Sequence, residues 1–150
     1  MPTLEEEIKQ SKFANEQIKA NLNVLYTANC LYNKISTFLK PLNLTHEQFN
    51  VLRILRGSHP KSMCQKDVLS RMIAPNSNLT LIVKKLKEKK LVSVKQSELD
   101  KREYIIHITK EGLNILKEMD KVFEKQKDKL NRLTESEAFH LNALLDKMRT

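Results

Sequence analysis

Three charged residues, Asp100, Lys101 and Arg102, lie together in a polar segment that separates two short apolar runs. In both runs the apolar residues alternate with other residues, which is typical of paired β-strands; these residues are Val92, Val94, Tyr104, Ile106 and Ile108. The pattern predicts a β-hairpin whose turn presents an ammonium and a guanidinium group to solvent. Such a tip can contact anions.

The segment just before this hairpin predicts an amphipathic helix that continues to about Lys90. Leu79, Val83 and Leu86 recur at i, i+4 and i+7, with Ile82 beside them, so one side must be buried. The opposite side carries hydroxyl, apolar and ammonium groups, from Ser77, Thr80, Leu81 and Lys84. A helix of this kind next to a basic hairpin is typical of a helix-turn-helix recognition helix followed by a wing.

The positive charge of the chain is concentrated in the same region. Residues 61–102 contain eleven Lys and Arg against four acids, and this surplus of seven makes up most of the formal net charge of +9. A segregated basic patch is typical of a surface that binds a phosphate backbone. The alternative, a solvated lysine face kept for solubility, predicts charge spread along the whole chain.

The sequence gives little support to other chemistry. Two cysteines, Cys30 and Cys64, form neither a disulfide framework nor a metal-ligand spacing, which suits a reducing cytoplasm. Cys64 is expected at the second position of a helix, where the dipole can make a thiol reactive, although an inert thiol is the simpler interpretation. Two glycines cannot build a phosphate-cradling loop, and no Ser/His/Asp constellation is visible. We expect no enzyme, no cofactor and no metal.

No membrane or export segment is expected. The amino terminus has neither a basic region nor an apolar core, so no signal peptide is predicted. No apolar run approaches the roughly 20 residues that cross a bilayer. We therefore expect a cytoplasmic protein that does not enter the membrane.

The remaining elements are predicted from capping residues and apolar spacing. A long first helix should run from the capping box of Thr3 and Glu6 to Pro41, too long for one small core, so that part of it packs on a partner subunit. Further helices should begin at Thr45, Ser62, Asn76, Thr109 and Thr134, and the second should end at Gly57. The predicted order is α-α-α-α-β-β-α-α, a single, mainly α (α+β) domain.

The last two helices should each carry an apolar stripe. The fifth helix is predicted to include Leu113, Leu116, Met119, Phe123 and Leu130 in one continuous stripe. The last helix should face inward with Leu141, Leu144, Leu145 and Met148.

From residue 44 to residue 112 the chain resembles the multiple antibiotic resistance regulator (MarR) family of transcription factors. The resemblance lies in LTHEQFNVLRIL, in NSNLTLIVKKLKEKKLV and in DKREYIIHITKEG. It implies a winged helix-turn-helix lobe over residues 44–108 and an intertwined dimerisation domain from residues 3–43 and 109–150. It also implies a homodimeric regulator, expected to be a repressor, that places recognition helices in successive major grooves and wings in the flanking minor grooves of a pseudo-palindromic operator.

The resemblance implies roles for single residues. Arg102 matches the wing arginine that enters the minor groove, and Asp100 the acid that holds it by a charge-assisted hydrogen bond. The alternative for this pair is a surface salt bridge that only pins the hairpin. The expected DNA-binding residues are Asn76, Ser77, Asn78, Thr80, Leu81, Lys84, Lys85, Lys101 and Arg102.

Three positions depart from the family pattern. Leu81 replaces a common arginine and Lys84 a common acid; Leu81 could contact a thymine methyl or pack on the third helix. Lys90 stands where the family has glycine, at a helix exit that favours a left-handed residue.

The resemblance also implies a small aromatic or lipophilic effector bound between the dimer helices and the DNA-binding lobe. Tyr26, Tyr32 and Arg53 are weak candidates to contact it, although core packing is the simpler interpretation for the two tyrosines. Some metal-sensing relatives suggest a site from Cys30, His46 and Glu47, against the simpler interpretation of a buried thiol and an exposed histidine.

A rival function is a winged-helix module for protein–protein assembly. Its basic face would contact nucleic acid only non-specifically.

Overall fold

The computed structural model of the chain describes residues 2–75 and 78–150. Its helices are α1 Leu4–Ile8, α2 Glu16–Leu39, α3 His46–Ser58, α4 Gln65–Arg71, α5 Leu79–Glu88, α6 Lys110–Lys125, α7 Lys127–Leu130 and α8 Glu135–Arg149. Its strands are β1 Met63–Cys64, β2 Val92–Gln96 and β3 Tyr104–Ile108. The chain divides into two compact units, Met1–His46 and Glu47–Thr150.

The first unit contains two helices where the sequence predicted one. The capping box of Thr3 and Glu6 opens α1 as expected, but α1 ends at Ile8 and its C-cap, Lys9, adopts a left-handed conformation with φ 54°. Asn15 then caps α2 by accepting a hydrogen bond from the Ile18 N–H at 2.8 Å. The prediction of one continuous helix is wrong because Asn15 starts a new helix and the residues before it carry no apolar stripe.

Polar contacts hold α1 against α2. Lys19 Nζ lies 2.5 Å from a Glu5 carboxylate oxygen, and the Tyr26 hydroxyl donates to Glu7 at 2.7 Å. These contacts hold the short α1 along part of α2.

Helix α2 ends at Leu39 and is followed by a 3₁₀ turn that contains Pro41. The predicted stop near this proline is therefore confirmed within two residues.

The second unit is built on a three-stranded antiparallel sheet in the order β1–β3–β2. Ile106 in the central strand pairs with Met63 on one side and Val94 on the other, and its side chain is fully buried. The β2–β3 hairpin is the one predicted from sequence. Strand β1 was not predicted, since two residues are too short to show an alternating pattern.

The extra strand shifts the start of the next helix. Met63 and Cys64 pair with β3 in extended conformation, so Cys64 rather than Ser62 is the N-cap of α4. The Cys64 Sγ accepts from the Asp67 N–H at 3.5 Å. The predictions of Ser62 as the cap and of Cys64 inside the helix are both wrong, because backbone pairing with a distant strand fixes where the helix can begin.

The core of the second unit is formed by α3, α4, α5, β3 and α6. The fully buried side chains are Val51, Leu52, Leu55, Val68, Leu86, Ile106, Leu116 and Met119. Helix α3 runs to Ser58, one residue past the predicted end, and Gly57 is an ordinary helical residue without a positive φ.

The junction between α5 and α6 is closely packed. A Cβ on Gly112 would lie 2.3 Å from the Leu91 carbonyl oxygen, so only glycine fits there. Thr109 caps α6 by accepting from the Gly112 N–H at 3.1 Å, and its hydroxyl donates to the Lys90 carbonyl at 2.8 Å. Lys90 has a φ of 61°, which confirms the left-handed helix exit expected from sequence.

The carboxy-terminal helices differ from prediction in two ways. Helix α6 ends at Lys125 and Gln126 is not helical. Leu130 therefore lies in the separate helix α7, and the prediction of one continuous stripe is wrong. Helix α8 opens with the predicted capping box of Thr134 and Glu137, yet Leu141, Leu144 and Met148 are exposed in the single chain. The expectation that they face inward is wrong for one chain, because nothing in the described chain buries this face.

None of the helices within residues 2–75 and 78–150 has the length and apolar character of a membrane span.

Candidate nucleic-acid interface

Helix α5 begins at Leu79, is capped by Asn78, and buries the apolar stripe that the sequence predicted. The Asn78 side chain accepts from the Leu81 N–H at 3.3 Å, so Asn78 is the N-cap in place of the predicted Asn76. Leu79, Val83 and Leu86 are buried. Asn76 and Ser77, both expected to contact DNA, lie outside the described residues.

The solvent face of α5 is polar and cationic with one apolar side chain. Thr80, Lys84 and Lys85 are exposed. Leu81 is 45% exposed, so much of its side chain is accessible to a partner. This side of the helix presents a hydroxyl, an apolar contact and two ammonium groups, a combination that can contact base edges and phosphates.

One lysine of the basic patch points away from this face. Lys89 Nζ donates to Oε1 of the buried Gln48 in α3 at 2.9 Å. Burial, and to a smaller extent the nearby charge of Lys85, lowers the pKa of Lys89. Lys89 therefore links the end of α5 to the start of α3, and its charge is partly removed from the outer surface.

The turn of the β2–β3 hairpin, residues 97–103, is here named the wing tip. At the wing tip Asp100 holds Arg102 through three hydrogen bonds. Asp100 Oδ1 accepts from the Arg102 backbone N–H at 2.9 Å and from Nε at 3.2 Å, and Oδ2 accepts from Nη2 at 3.4 Å. The backbone bond and then the guanidinium bonds lower the pKa of Asp100. The Arg102 side chain is nevertheless 91% exposed, so it is oriented without being buried.

Ser97 organises the backbone of the wing tip and was not identified from sequence. It is buried, and its hydroxyl accepts from the backbone N–H groups of Leu99 and Asp100, both at 3.3 Å. Its own N–H donates to the Glu103 carbonyl at 2.8 Å, while the Glu103 N–H donates to the Asp100 carbonyl at 2.9 Å. The signal that could have found it is a serine three residues before an aspartate in a turn, a common local hydrogen-bond pattern.

Helix α5 and the wing tip border one groove. It has a volume of about 500 Å³ and is lined by Cys64, Gln65, Lys66, Leu69, Pro75, Asn78, Leu79, Thr80, Arg102, Glu103 and Tyr104. Three predicted DNA-binding residues, Asn78, Thr80 and Arg102, therefore lie around the same opening. Cys64, Gln65 and Lys66 line the same groove but were not among the predicted DNA-binding residues, because the pairing of Met63 and Cys64 with β3, which places the start of α4 at this groove, was not predicted.

The three weak effector candidates each have a partner within their own unit. The Tyr26 hydroxyl is bonded to Glu7, and this bond, followed by burial, raises its pKa to about 12. The Tyr32 ring stacks on His46 with centroids 3.7 Å apart. The Arg53 guanidinium lies 5.8 Å from the centroid of the Phe49 ring. Their contact with an effector stays a prediction.

The alternative metal and thiol sites receive no support from the described residues. Within residues 2–75 and 78–150 no group of three or more His, Cys, Asp or Glu side chains is placed to hold a metal ion. His46 instead bonds Ser36 Oγ through Nε2 at 2.8 Å. Cys30 and Cys64 are free thiols of intermediate exposure.

Comparison with known proteins agrees with the geometry. A family model described as transcriptional regulator SarA/Rot matches residues 33–119. The HTH-type transcriptional regulator MgrA of Staphylococcus aureus is 29% identical over 126 residues, which cover 83% of this chain and 84% of MgrA.

Solved structures with the same fold include two regulators. A mutant of E. coli MarR complexed with operator DNA superposes with a TM-score of 0.76 at 24% identity, covering 92% of this chain and 99% of that one. BpsR of Bordetella bronchiseptica, whose DNA binding is regulated by 6-hydroxynicotinic acid, gives a TM-score of 0.76 at 21% identity, with 88% and 99% covered. These likenesses establish the MarR-like winged-helix fold. Because the SarA/Rot model matches more than half of its length, this chain belongs to the SarA/Rot family of transcriptional regulators and is a DNA-binding protein of the MarR-like winged-helix type.

Proposed function

We propose that this protein acts as a homodimeric repressor that binds a pseudo-palindromic operator in the cytoplasm and is released by a small-molecule effector. The observation that carries the proposal is the common surface of α5 and the wing tip. An exposed polar helix face and an oriented, exposed arginine border the same groove. Two such surfaces in a dimer match two half-sites about one helical turn apart.

In the proposed complex α5 enters the major groove. Thr80 and Leu81 contact base edges, with Leu81 against a thymine methyl group. Lys84 and Lys85 contact phosphates, Asn78 contacts DNA from the N-cap of the helix, and Asn76 and Ser77, which precede it in the sequence, are proposed to contact DNA as well. Because phosphate contacts position the helix without reading sequence, specificity is assigned to Thr80 and Leu81.

The wing tip enters the adjacent minor groove with Lys101 and Arg102. A narrow A·T-rich minor groove has an enhanced negative potential that attracts a guanidinium group. Asp100 fixes the direction of Arg102 through the bonds described above. The arginine is thus oriented before binding, which reduces the entropy lost when it enters the groove.

Dimerisation is supported by exposed apolar side chains on the terminal helices. Helix α2 exposes Ile18, Val24, Leu25, Leu31 and Tyr32, and α8 exposes Phe139, Leu141, Leu144 and Met148. Sets of this size on single helices are typical of surfaces that a partner covers. A second copy of the same chain is the partner that the fold family favours.

The effector is proposed to be a small aromatic or lipophilic anion. The regulation of BpsR by 6-hydroxynicotinic acid supports this chemical class. Tyr26, Tyr32 and Arg53 are the residues offered for its recognition, since they could supply aromatic contacts and one cation. Such a ligand would act by favouring one separation of the two DNA-binding lobes.

A DNA titration tests the proposal. The duplex selected by the protein from a randomised library is titrated beside an unrelated duplex of equal length, each at several salt concentrations. We expect binding to the selected duplex about 10³-fold tighter or more, with affinity for both falling steeply as salt rises. Equal affinity for both duplexes at every salt concentration would favour the rival assembly module.

A further inference from the structure

The DNA-binding unit exposes two large apolar side chains almost completely. Ile73, in the turn that follows α4, is 84% exposed, and Leu99, at the wing tip, is fully exposed. Scattered surface leucines are common and need no explanation by themselves. Leu99 differs because it projects from the end of the element that is proposed to enter DNA.

The hydrogen bonds of the wing tip hold Leu99 outward. The buried Ser97 hydroxyl accepts from the Leu99 N–H, and the Gln96 side chain donates to the Lys101 carbonyl at the opposite end of the turn. The Glu103 N–H closes the turn on the Asp100 carbonyl at 2.9 Å. With its backbone fixed in this way, the turn cannot readily fold Leu99 back onto the sheet.

The position of Leu99 on the wing, rather than the net charge of the wing tip, indicates which partner covers it. Lys101 and Arg102 are exposed near Leu99 and the Asp100 carboxylate is bound by the Arg102 guanidinium, while Glu98 and Glu103 are exposed acids of the same turn. Because Leu99 shares the exposed end of the wing with the two cations, it fits the minor groove, which combines flanking phosphates with apolar sugar walls. Proteins that bind this groove often insert leucine, isoleucine or phenylalanine between base steps.

We propose that Leu99 is a second minor-groove contact of the wing and favours A·T steps beside the site of Arg102. The inference rests on the proposed entry of the wing into the minor groove. A guanine places an amino group on the floor of that groove, whereas A·T pairs leave the floor open to an apolar side chain. Leu99 therefore adds selectivity through shape, while Arg102 acts through charge.

The test uses the selected duplex and a copy in which the flanking adenines are replaced by 2,6-diaminopurine. This base keeps the major-groove groups of adenine and adds an amino group to the minor groove. We expect wild-type protein to lose affinity on the modified duplex. Leu99→Ala should bind the unmodified duplex ~10-fold more weakly and lose much of the penalty for diaminopurine, while Leu99→Val should retain most of both.

Two further variants separate the possible failures. Ile73→Ala removes an exposed apolar side chain outside the wing and should behave as wild type. If Leu99→Ala keeps wild-type affinity and the full diaminopurine penalty while Arg102→Ala weakens binding, the inference about Leu99 is wrong and the role of the wing stands. If neither wild type nor Arg102→Ala responds to the modified flank, the wing does not enter the minor groove and the proposed function fails with it.

Discussion

Helices α5 and α8 are both amphipathic, but α5 exposes its polar face whereas α8 exposes its apolar face. Helix α5 buries its apolar stripe, with Leu86 at 0% exposure, and presents lysines and a threonine to solvent. Helix α8 leaves apolar residues uncovered, with Leu144 at 65% exposure. The difference indicates two kinds of partner: the cationic face of α5 suits a polyanion, and the apolar face of α8 suits another apolar surface.

Truncating the stripe of α5 should have the largest effect. Leu86→Ala removes a fully buried side chain and should lower the free energy of unfolding by about 3 kcal/mol, within the range of buried Leu→Ala changes. Denaturant titration at low protein concentration measures this loss. Leu144→Ala is the matched control and should change the stability of the monomer by less than about 0.5 kcal/mol. Equal losses in both variants would contradict the different burial of the two stripes.

Placing a charge on the exposed face of α8 should disrupt assembly. Leu144→Asp should raise the dimer dissociation constant ~100-fold or more, because two carboxylates would be buried in a symmetric apolar interface. Sedimentation velocity over a concentration series measures the change. Asp146→Asn, an exposed change on the same helix, serves as the control. A wild-type protein that stays monomeric at working concentration would remove the dimer from the proposed function.

Removing the wing arginine should weaken DNA binding without affecting either helix. Arg102→Ala should bind the selected duplex ~10-fold more weakly and lose preference for A·T flanks, since each minor-groove arginine adds a sequence-dependent electrostatic term. Fluorescence anisotropy on duplexes with A·T and G·C flanks measures both effects. Arg132→Ala removes the same charge from an exposed position outside the basic patch. If the two variants lose affinity equally, the effect is one of net charge and the wing has no specific role.

Weakening the hydrogen bonds that orient Arg102 should have the smallest effect on DNA affinity. Asp100→Asn weakens the bonds to Arg102, and we expect a ~3-fold loss of DNA affinity because the arginine is less well oriented before binding. Protein stability near neutral pH should change little, since the pair is exposed. An affinity equal to wild type would leave Asp100 and Arg102 as a surface salt bridge that only pins the hairpin.

The same pair gives a pH dependence with a definite sign. Folding lowers the pKa of Asp100, so its ionised form stabilises the folded protein. This contribution to the free energy of unfolding is present above the pKa of the unfolded chain and is lost as pH falls through the pKa of the folded protein. The Asp100 carboxyl should therefore titrate below its ordinary value near 3.8, measured by NMR. Arg102→Ala should move this pKa upward. A wild-type carboxyl that titrates at or above its ordinary value would show that the bonds to Arg102 do not form in solution.

The apolar spacing of α5 and the alternation of β2 and β3 were sufficient to predict these elements and the buried stripe of α5, because local periodicity alone determines which face an element buries. Capping boxes at Thr3 and Thr134 were also correct. One error occurred where a distant contact decides, since the pairing of Met63 and Cys64 with β3 moved the start of α4. The other was local, since the Asn15 cap that divides the first helix was overlooked. Ser97 was missed because its role depends on burial under the turn.

The sequence by itself determined the identity of the elements, the position of the basic patch and the charges at the wing tip, since these follow from residue type and local spacing. Only the tertiary structure decided that Thr80 and Arg102 border one groove, that Leu99 is held outward, and that the stripe of α8 stays uncovered in a single chain. The physical reason is that the exposure of a side chain and its distance from other side chains depend on which segments pack together over long sequence separations. A local pattern does not indicate which distant segments these are.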